Sequence, residues 1–284
     1  MPLVPMTEFL PRAKAEGFAV GQFNMNNLEF TKAITEAAME EQSPFIFGVS
    51  EGAIKYMGLE YAVAMARVAA EESGLPIALH LDHGSSFEIV MKCIRAGFTS
   101  VMFDGSHLPL EENIRLTKKV VEAAHAVGVS VEGELGTIGG VEDDLSVDEE
   151  DAMLAKPEEA IRFWRETGVD CLAIAVGTAH GMYKGEPRIR YEIIQEVASQ
   201  IDVPIVLHGG SGVPDEAIRR SIALGVGKIN VNTENQVAMT KTIREIFARD
   251  EKVYDPRKYL GPAKEAMKEV VRSKIRLFGS NGKA

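Results

Sequence analysis

The chain has 284 residues, 45% of them hydrophobic, and a formal net charge of −11 at pH 7. That length and apolar content allow one large core, and no Pro/Ser-rich linker interrupts it, so a single domain over 1–284 is expected, with a C-terminal helical extension from about residue 251. The acidic balance argues against nucleic acid and anionic membranes as partners. No apolar run approaches the ~20 residues that cross a bilayer, and Met1–Met6 lacks the basic start of a signal peptide, so a cytoplasmic protein is expected.

Taken in order, apolar periodicity predicts a short helix over Thr7–Ala15 and a first strand over Phe18–Phe23 ending at Asn24. A helix over Leu28–Glu41 is followed by a strand over Pro44–Val49 ending at Ser50, and a helix over Leu59–Ser73 by a strand from Pro76 to Asp82-His83-Gly84. Gly84 is expected to make the turn that lets Asp82 and His83 share one site. Phe87–Ala96 reads as a helix, Ser100–Phe103 as a strand ending at Asp104, Glu111–Val127 as a helix, and Val129–Gly133 as a strand ending at Glu134.

A long acidic stretch, Gly136–Ala155, then breaks the rhythm and reads as a loop; glycines at its root suggest a mobile lid. Pro157 starts the next helix, and Cys171–Val176 is a strand leading to His180-Gly181. After a polar loop around Lys184–Arg188 comes a helix within Ile189–Gln200, then a strand over Pro204–Leu207 ending at His208-Gly209-Gly210-Ser211-Gly212. A helix over Asp215–Leu224, a strand over Gly227–Ile229 ending at Asn230-Val231-Asn232-Thr233, a helix over Thr233–Arg249 and a last helix over Pro262–Phe278 complete the chain.

Alternating strands and helices in eight units predict an α/β fold, a TIM (β/α)8 barrel whose strands are apolar on both faces, with an extra helix before the first strand. A doubly wound open sheet is the alternative. The barrel is favoured because every predicted strand end carries a polar residue: Asn24, Ser50, Asp82, Asp104, Glu134, His180, His208 and Asn230. Sites in barrels are built at that end.

His83, His180 and His208 each follow an apolar run and precede a glycine. Three neutral imidazoles with an open position suit a catalytic Zn²⁺, which polarises a carbonyl and stabilises a developing enediolate. Taken singly, each reads better as a buried, hydrogen-bonded histidine, and it is the three together that favour a metal. His80 reads as a support of the site, His125 as a surface residue, and His107 is undecided. Gly209–Gly212 before a helix, and Asn230–Thr233 at the start of another, suit a phosphate through backbone N–H groups. Glycines that merely make tight turns would look the same. Lys228 could in principle form a Schiff base, although it precedes its strand's end. Cys93 and Cys171 read as buried, reduced thiols.

The motifs Leu81-Asp82-His83-Gly84-Ser85, Glu134-Leu135-Gly136-Thr137, Gly139-Gly140-Val141-Glu142-Asp143, Gly177-Thr178-Ala179-His180-Gly181, His208–Gly212 and Ile229–Thr233 together resemble class II, zinc-dependent fructose-bisphosphate aldolases, and the likeness runs from Val20 to Arg257. The resemblance implies reversible cleavage of fructose 1,6-bisphosphate to dihydroxyacetone phosphate and glyceraldehyde 3-phosphate. It implies Zn²⁺ on His83, His180 and His208, with Glu134 and Asp104 at an alternative inner metal position. Asp82 would exchange the C4-hydroxyl proton, and Glu142 the proton at C3. Gly181, Gly209, Gly210, Ser211, Asn230, Val231, Asn232 and Thr233 would hold the dihydroxyacetone-phosphate end, with Lys184 as an addition and a monovalent cation (Na⁺ or K⁺) near Gly181 and Gly209. Asn24 and Ser50 would contact substrate. Arg257 would reach the other phosphate from a neighbouring subunit, implying a homodimer or larger homo-oligomer. Tagatose-1,6-bisphosphate aldolases share these motifs and are the alternative within the class. A non-catalytic barrel that binds sugar phosphates is the alternative outside it.

Overall fold

A computed structural model describes residues 2–142, 145–147, 153–181, 183, 185 and 187–284, the side chains of 141, 142 and 145–147 excepted. Its strands are β1 (Val20–Asn24), β2 (Phe45–Ser50), β3 (Ile77–Gly84), β4 (Ser100–Phe103), β5 (Ser130–Leu135), β6 (Gly139–Glu142), β7 (Leu145–Val147), β8 (Cys171–Ile174), β9 (Ala179–His180), β10 (Ile205–Leu207) and β11 (Val226–Val231). The helices are α1 (Leu10–Glu16), α2 (Leu28–Glu41), α3 (Glu51–Met57), α4 (Leu59–Ser73), α5 (Phe87–Ala96), α6 (Leu110–His125), α7 (Pro157–Thr167), α8 (Tyr191–Ala198), α9 (Asp215–Ala223), α10 (Thr233–Arg249) and α11 (Pro256–Phe278). Strands β1, β2, β3, β4, β5, β8, β10 and β11 close a barrel in chain order, and every neighbouring pair is parallel. The TIM barrel, rather than the open sheet, is the architecture.

Two layers of apolar packing hold it. Between strands and helices lie side chains such as Phe23, Phe47, Leu79, Val131, Leu172 and Ile229. Inside the barrel's N-terminal end, Val20, Ile46, Ala78, Cys171, Ala173 and Val206 meet Met6, Phe9, Leu10 and Ala13 from the segment ahead of β1, so α1 is a plug. The Met6 amide donates to Ser130 Oγ at 3.0 Å and pins the plug to β5. Helix α11 packs along α2, where Lys264 Nζ lies 2.5 Å from Glu36 Oε2, and its last turn accepts the Ala19 amide at Phe278 O, 3.0 Å away.

The structure corrects the sequence reading of the secondary structure at five points. Above the plug the strands are not apolar on both faces: period-two alternation turns Gln22, Asn24, His80, Asp82, Ser100, Glu132, Glu134, Lys228 and Asn230 inward, all buried. The segment after Glu134 is not simply a loop, because β6 pairs with β7 and with β9 in a small sheet outside the barrel; residues 143–144 and 148–152 lie outside the described residues. His180 therefore sits on β9 of that sheet rather than at a barrel strand's end. Helix α3 is too short for a helical period to register, and Ser50 Oγ caps it by accepting from Ala53 N at 3.1 Å. Helix α11 starts at Pro256, with Pro262 inside it, because Asp255 caps the earlier start by accepting from Arg257 N.

Candidate functional site

The site begins with an irregularity in β3. Leu81 pairs with Val101 and Gly84 with Phe103, so Asp82 and His83 together oppose the single residue Met102. This is a β-bulge, and its extra residue turns two consecutive side chains into the same mouth. The turn lies at His83, whose φ of 50° is in the left-handed region that non-glycine residues seldom adopt, and not at Gly84 as the sequence suggests. Gly84 answers a different need, since a Cβ there would lie 2.5 Å from Met102 O.

His83, His180 and His208 converge, each offering one nitrogen within 4.8 Å of the others. Ring centroids are 5.2 Å apart for His83 and His180 and 4.8 Å for His83 and His208. His83 Nε2 and His208 Nδ1 face one another at 3.1 Å. Their other nitrogens are held from behind: His83 Nδ1 by Asp104 Oδ2 at 2.8 Å, His208 Nε2 by Glu132 Oε1 at 2.8 Å. Carboxylates behind imidazoles are the usual way a protein orients metal ligands. His83, Asp104 and Glu134 form a second overlapping group of potential ligands, with Glu134 Oε2 3.7 Å from His83 Nδ1.

Electrostatics sort these groups. Burial drives His180 well below the usual histidine value, and His208 down as well, which favours the neutral imidazole that a metal ligand requires. Burial works the same way on His83, but the Asp104 hydrogen bond, Asp82 and Glu134 outweigh it and raise its affinity for a proton. A metal cation would profit from the same negative surroundings and compete with that proton. Burial and the neighbouring Asp104 push Glu134 well above the usual carboxylate range. On Asp82, burial is outweighed by His83, His208 and Lys228, which hold its carboxyl at about 2. Asn24 Nδ2 donates to Asp82 Oδ2 at 3.1 Å, and Asn230 Nδ2 lies 3.5 Å from Asp82 Oδ1. An ionised, oriented carboxylate thus stands beside a site able to hold a metal ion.

A sequence model described as "Fructose-bisphosphate aldolase class-II" matches residues 4–283. The chain belongs to that family. It is 56% identical to the probable fructose-bisphosphate aldolase of Bacillus subtilis and 53% identical to the fructose-bisphosphate aldolase of Staphylococcus epidermidis, over 100% of both chains in each case. Among solved structures it resembles the YdjI aldolase of Escherichia coli K12, with a TM-score of 0.87 and 34% identity over 99% of each chain. A putative fructose-1,6-biphosphate aldolase of Coccidioides immitis gives a TM-score of 0.87 and 31% identity over 96% of each chain.

The remaining family positions are dispersed, Val231 packing in the apolar layer between strands and helices and Asn232 lying buried just before α10. Gly181 and Gly209 directly follow His180 and His208, the Gly210 amide donates to Asn230 O, and Ser211 Oγ accepts from Glu234 N in the first turn of α10. Gly209 (φ 65°) must lack a Cβ, which would lie 2.3 Å from Ala179 O. Asn230 instead points inward to Asp82, and Ser50 caps α3 at the level where β2 pairs with Asp82. Arg257 stays apart, its side chain 89% exposed and paired with Asp255 at 2.8 Å. The side chain of Glu142, and Lys184 as a whole, lie outside the described residues.

Two residues escaped the sequence reading. Tyr183 Oη accepts from Ala179 N at 2.8 Å and donates to Gly209 O at 2.9 Å, tying the His180 segment to the glycine-rich one. Glu132 lies inside a strand that reads as apolar; counting back two residues from Glu134 puts it on the same inner face. Lys228 Nζ is fully buried against Glu132 Oε2 (2.8 Å) and Asn230 Oδ1 (2.7 Å), contacts that engage the amine a Schiff base would need.

Proposed function

We propose that the chain reversibly cleaves fructose 1,6-bisphosphate to dihydroxyacetone phosphate and glyceraldehyde 3-phosphate, with zinc as its metal. The observation that carries this reading is the ionised Asp82 carboxylate set against three converging imidazoles at the open end of the barrel. The donor set fits the ion. Two nitrogens 3.1 Å apart are near the ~3.3 Å spacing that bonds of ~2.0–2.1 Å impose on a tetrahedral zinc, and both rings are braced by carboxylates. When bound by His83, His180 and His208, zinc would polarise the substrate ketone and offset charge developing beside it.

The chain's own residues carry the proton and the orientation. Asp82 accepts the C4-hydroxyl proton as the C3–C4 bond breaks, leaving the aldehyde and moving the bonding electrons to C3; it returns that proton on condensation. Asn24 and Asn230 fix the carboxylate through their amides. Glu142 delivers the proton to C3. Gly181, Gly209, Gly210 and Ser211, with the α10 N-terminus from Thr233, bind the phosphate of the dihydroxyacetone half through N–H groups, with a monovalent cation nearby. Arg257 meets the second phosphate from a neighbouring subunit, which makes the working form at least a homodimer. The fructose-bisphosphate aldolases of Bacillus and Staphylococcus among its relatives support the fructose epimer over tagatose bisphosphate. No helix among the described residues is long and apolar enough to cross a membrane, in keeping with a cytoplasmic enzyme.

Chelator titration with zinc add-back, run in parallel on fructose and tagatose bisphosphates, tests this. Activity should vanish with chelator, return with Zn²⁺, and favour fructose bisphosphate. Full turnover in demetallated protein would sink the metal-dependent reading, and faster cleavage of the tagatose epimer would reverse the substrate assignment.

A further inference from the structure

The reaction outlined above makes no use of Lys228, yet this cation is fully buried inside the barrel. A desolvated cation at such a place is costly unless its partners are placed with care, and its partners are specific. Glu132 Oε2 lies at 2.8 Å and Asn230 Oδ1 at 2.7 Å. Each contact leads onward to the site. Through Glu132, whose other oxygen lies 2.8 Å from His208 Nε2, it reaches a metal-ligand candidate. Through Asn230, whose Nδ2 lies 3.5 Å from Asp82 Oδ1, it reaches the carboxylate that exchanges the proton.

Lysine offers only donors, so both contacts have a fixed sense. Facing Lys228, Glu132 remains a charged acceptor, and an acceptor at His208 Nε2 requires the proton to sit there. That leaves Nδ1 with its lone pair toward His83 Nε2. By the same logic, Lys228 occupies the oxygen of the Asn230 amide and turns the nitrogen toward Asp82. The other groups around Glu132 Oε2 are weaker neighbours: His80 Nε2 and Cys171 Sγ both stand 3.6 Å away.

We propose that Lys228 is a positioning residue that presets both halves of the site, the tautomer of His208 by way of Glu132 and the direction of Asn230 toward Asp82. The inference rests on the metal-dependent reading. Its test is zinc affinity rather than turnover, so the two can fail separately.

In the full-length protein, competition with a chromophoric chelator should show Lys228→Met raising the Zn²⁺ dissociation constant roughly 10- to 100-fold, the range seen when partners behind metal ligands are removed. The double variant Lys228→Met/Glu132→Gln leaves no buried charge unpaired and retains an acceptor for His208, so it should bind zinc more tightly than the single variant. An unchanged dissociation constant in folded Lys228→Met overturns the inference alone. A wild-type protein that binds no zinc overturns both readings. A measurement on the unmutated protein guards against a misfolded variant. Long-range ¹H–¹⁵N correlation of ¹⁵N-histidine in the zinc-loaded enzyme should show His208 protonated at Nε2 and metallated at Nδ1, and the opposite tautomer would refute the proposal.

Discussion

The two ends of the barrel interior are built by the same strands and could hardly differ more. At the N-terminal end, Ile46, Ala78, Ala173 and Val206 close on Phe9 and Leu10 in an apolar cluster bordered by Ser130. Toward the other end the same strands present Ser50, Asp82, Glu132, Glu134 and His208, each buried. Stability is concentrated at one end and chemistry at the other, the division expected of this architecture. The polar end satisfies itself internally: Lys228 neutralises Glu132, Asp104 faces His83, and both asparagines turn to Asp82. Gln22 departs furthest from this, with neither amide atom hydrogen-bonded among the described residues, and Asn24 Oδ1 and Glu134 Oε2 also lack a hydrogen-bond partner there.

This division can be broken from either side. The largest expected effect is on Asp82→Ala, which should lower cleavage by ~10²–10⁴-fold, the usual contribution of a positioned acid or base, while sugar phosphate still binds by calorimetry. If this variant cleaves normally, chemistry does not depend on the polar end. Leu10→Ala, in the plug, should cost about 2–5 kcal/mol of unfolding free energy and leave kcat per folded molecule unchanged; denaturant titration beside an activity assay tests both halves.

An intermediate effect comes from acid. Burial holds His80 neutral, at about 4 instead of its usual 6.5. The unfolded chain therefore binds a proton in that window that the folded chain refuses, so stability is full above 6.5 and is lost as pH falls toward 4, by roughly 3 kcal/mol at most. Replacing His80 with Gln should flatten the pH dependence of denaturant midpoints over that range; an unchanged slope would mean that other groups dominate acid sensitivity. The smallest effect belongs outside both ends. Ser86→Ala removes the α5 cap, in which Ser86 Oγ accepts from Ile89 N at 3.3 Å, and should cost about 1 kcal/mol without changing activity or zinc affinity.

Much of this was legible in the sequence, for identifiable reasons. Apolar runs ending in polar residues located the barrel strands, and recurrence of His-Gly after such runs singled out three imidazoles that do converge. What stayed hidden depends on the third dimension. Nothing in Asp82-His83-Gly84 announces that histidine, not glycine, takes the left-handed conformation, because the bulge is set by pairing with β4. Strands β6, β7 and β9 are too short for alternation to register and exist through one another. Glu132 and Lys228 each look misplaced in a strand until their mutual contact is seen.

The plug also governs traffic. With Phe9 and Leu10 filling one mouth of the barrel, a bisphosphate can reach Asp82 only from the opposite side, and both fragments must leave by that same doorway. Entry and departure then pass the loops at the C-terminal ends of the strands, so exchange through that entrance, and not passage through the barrel, is how the pocket is emptied and refilled.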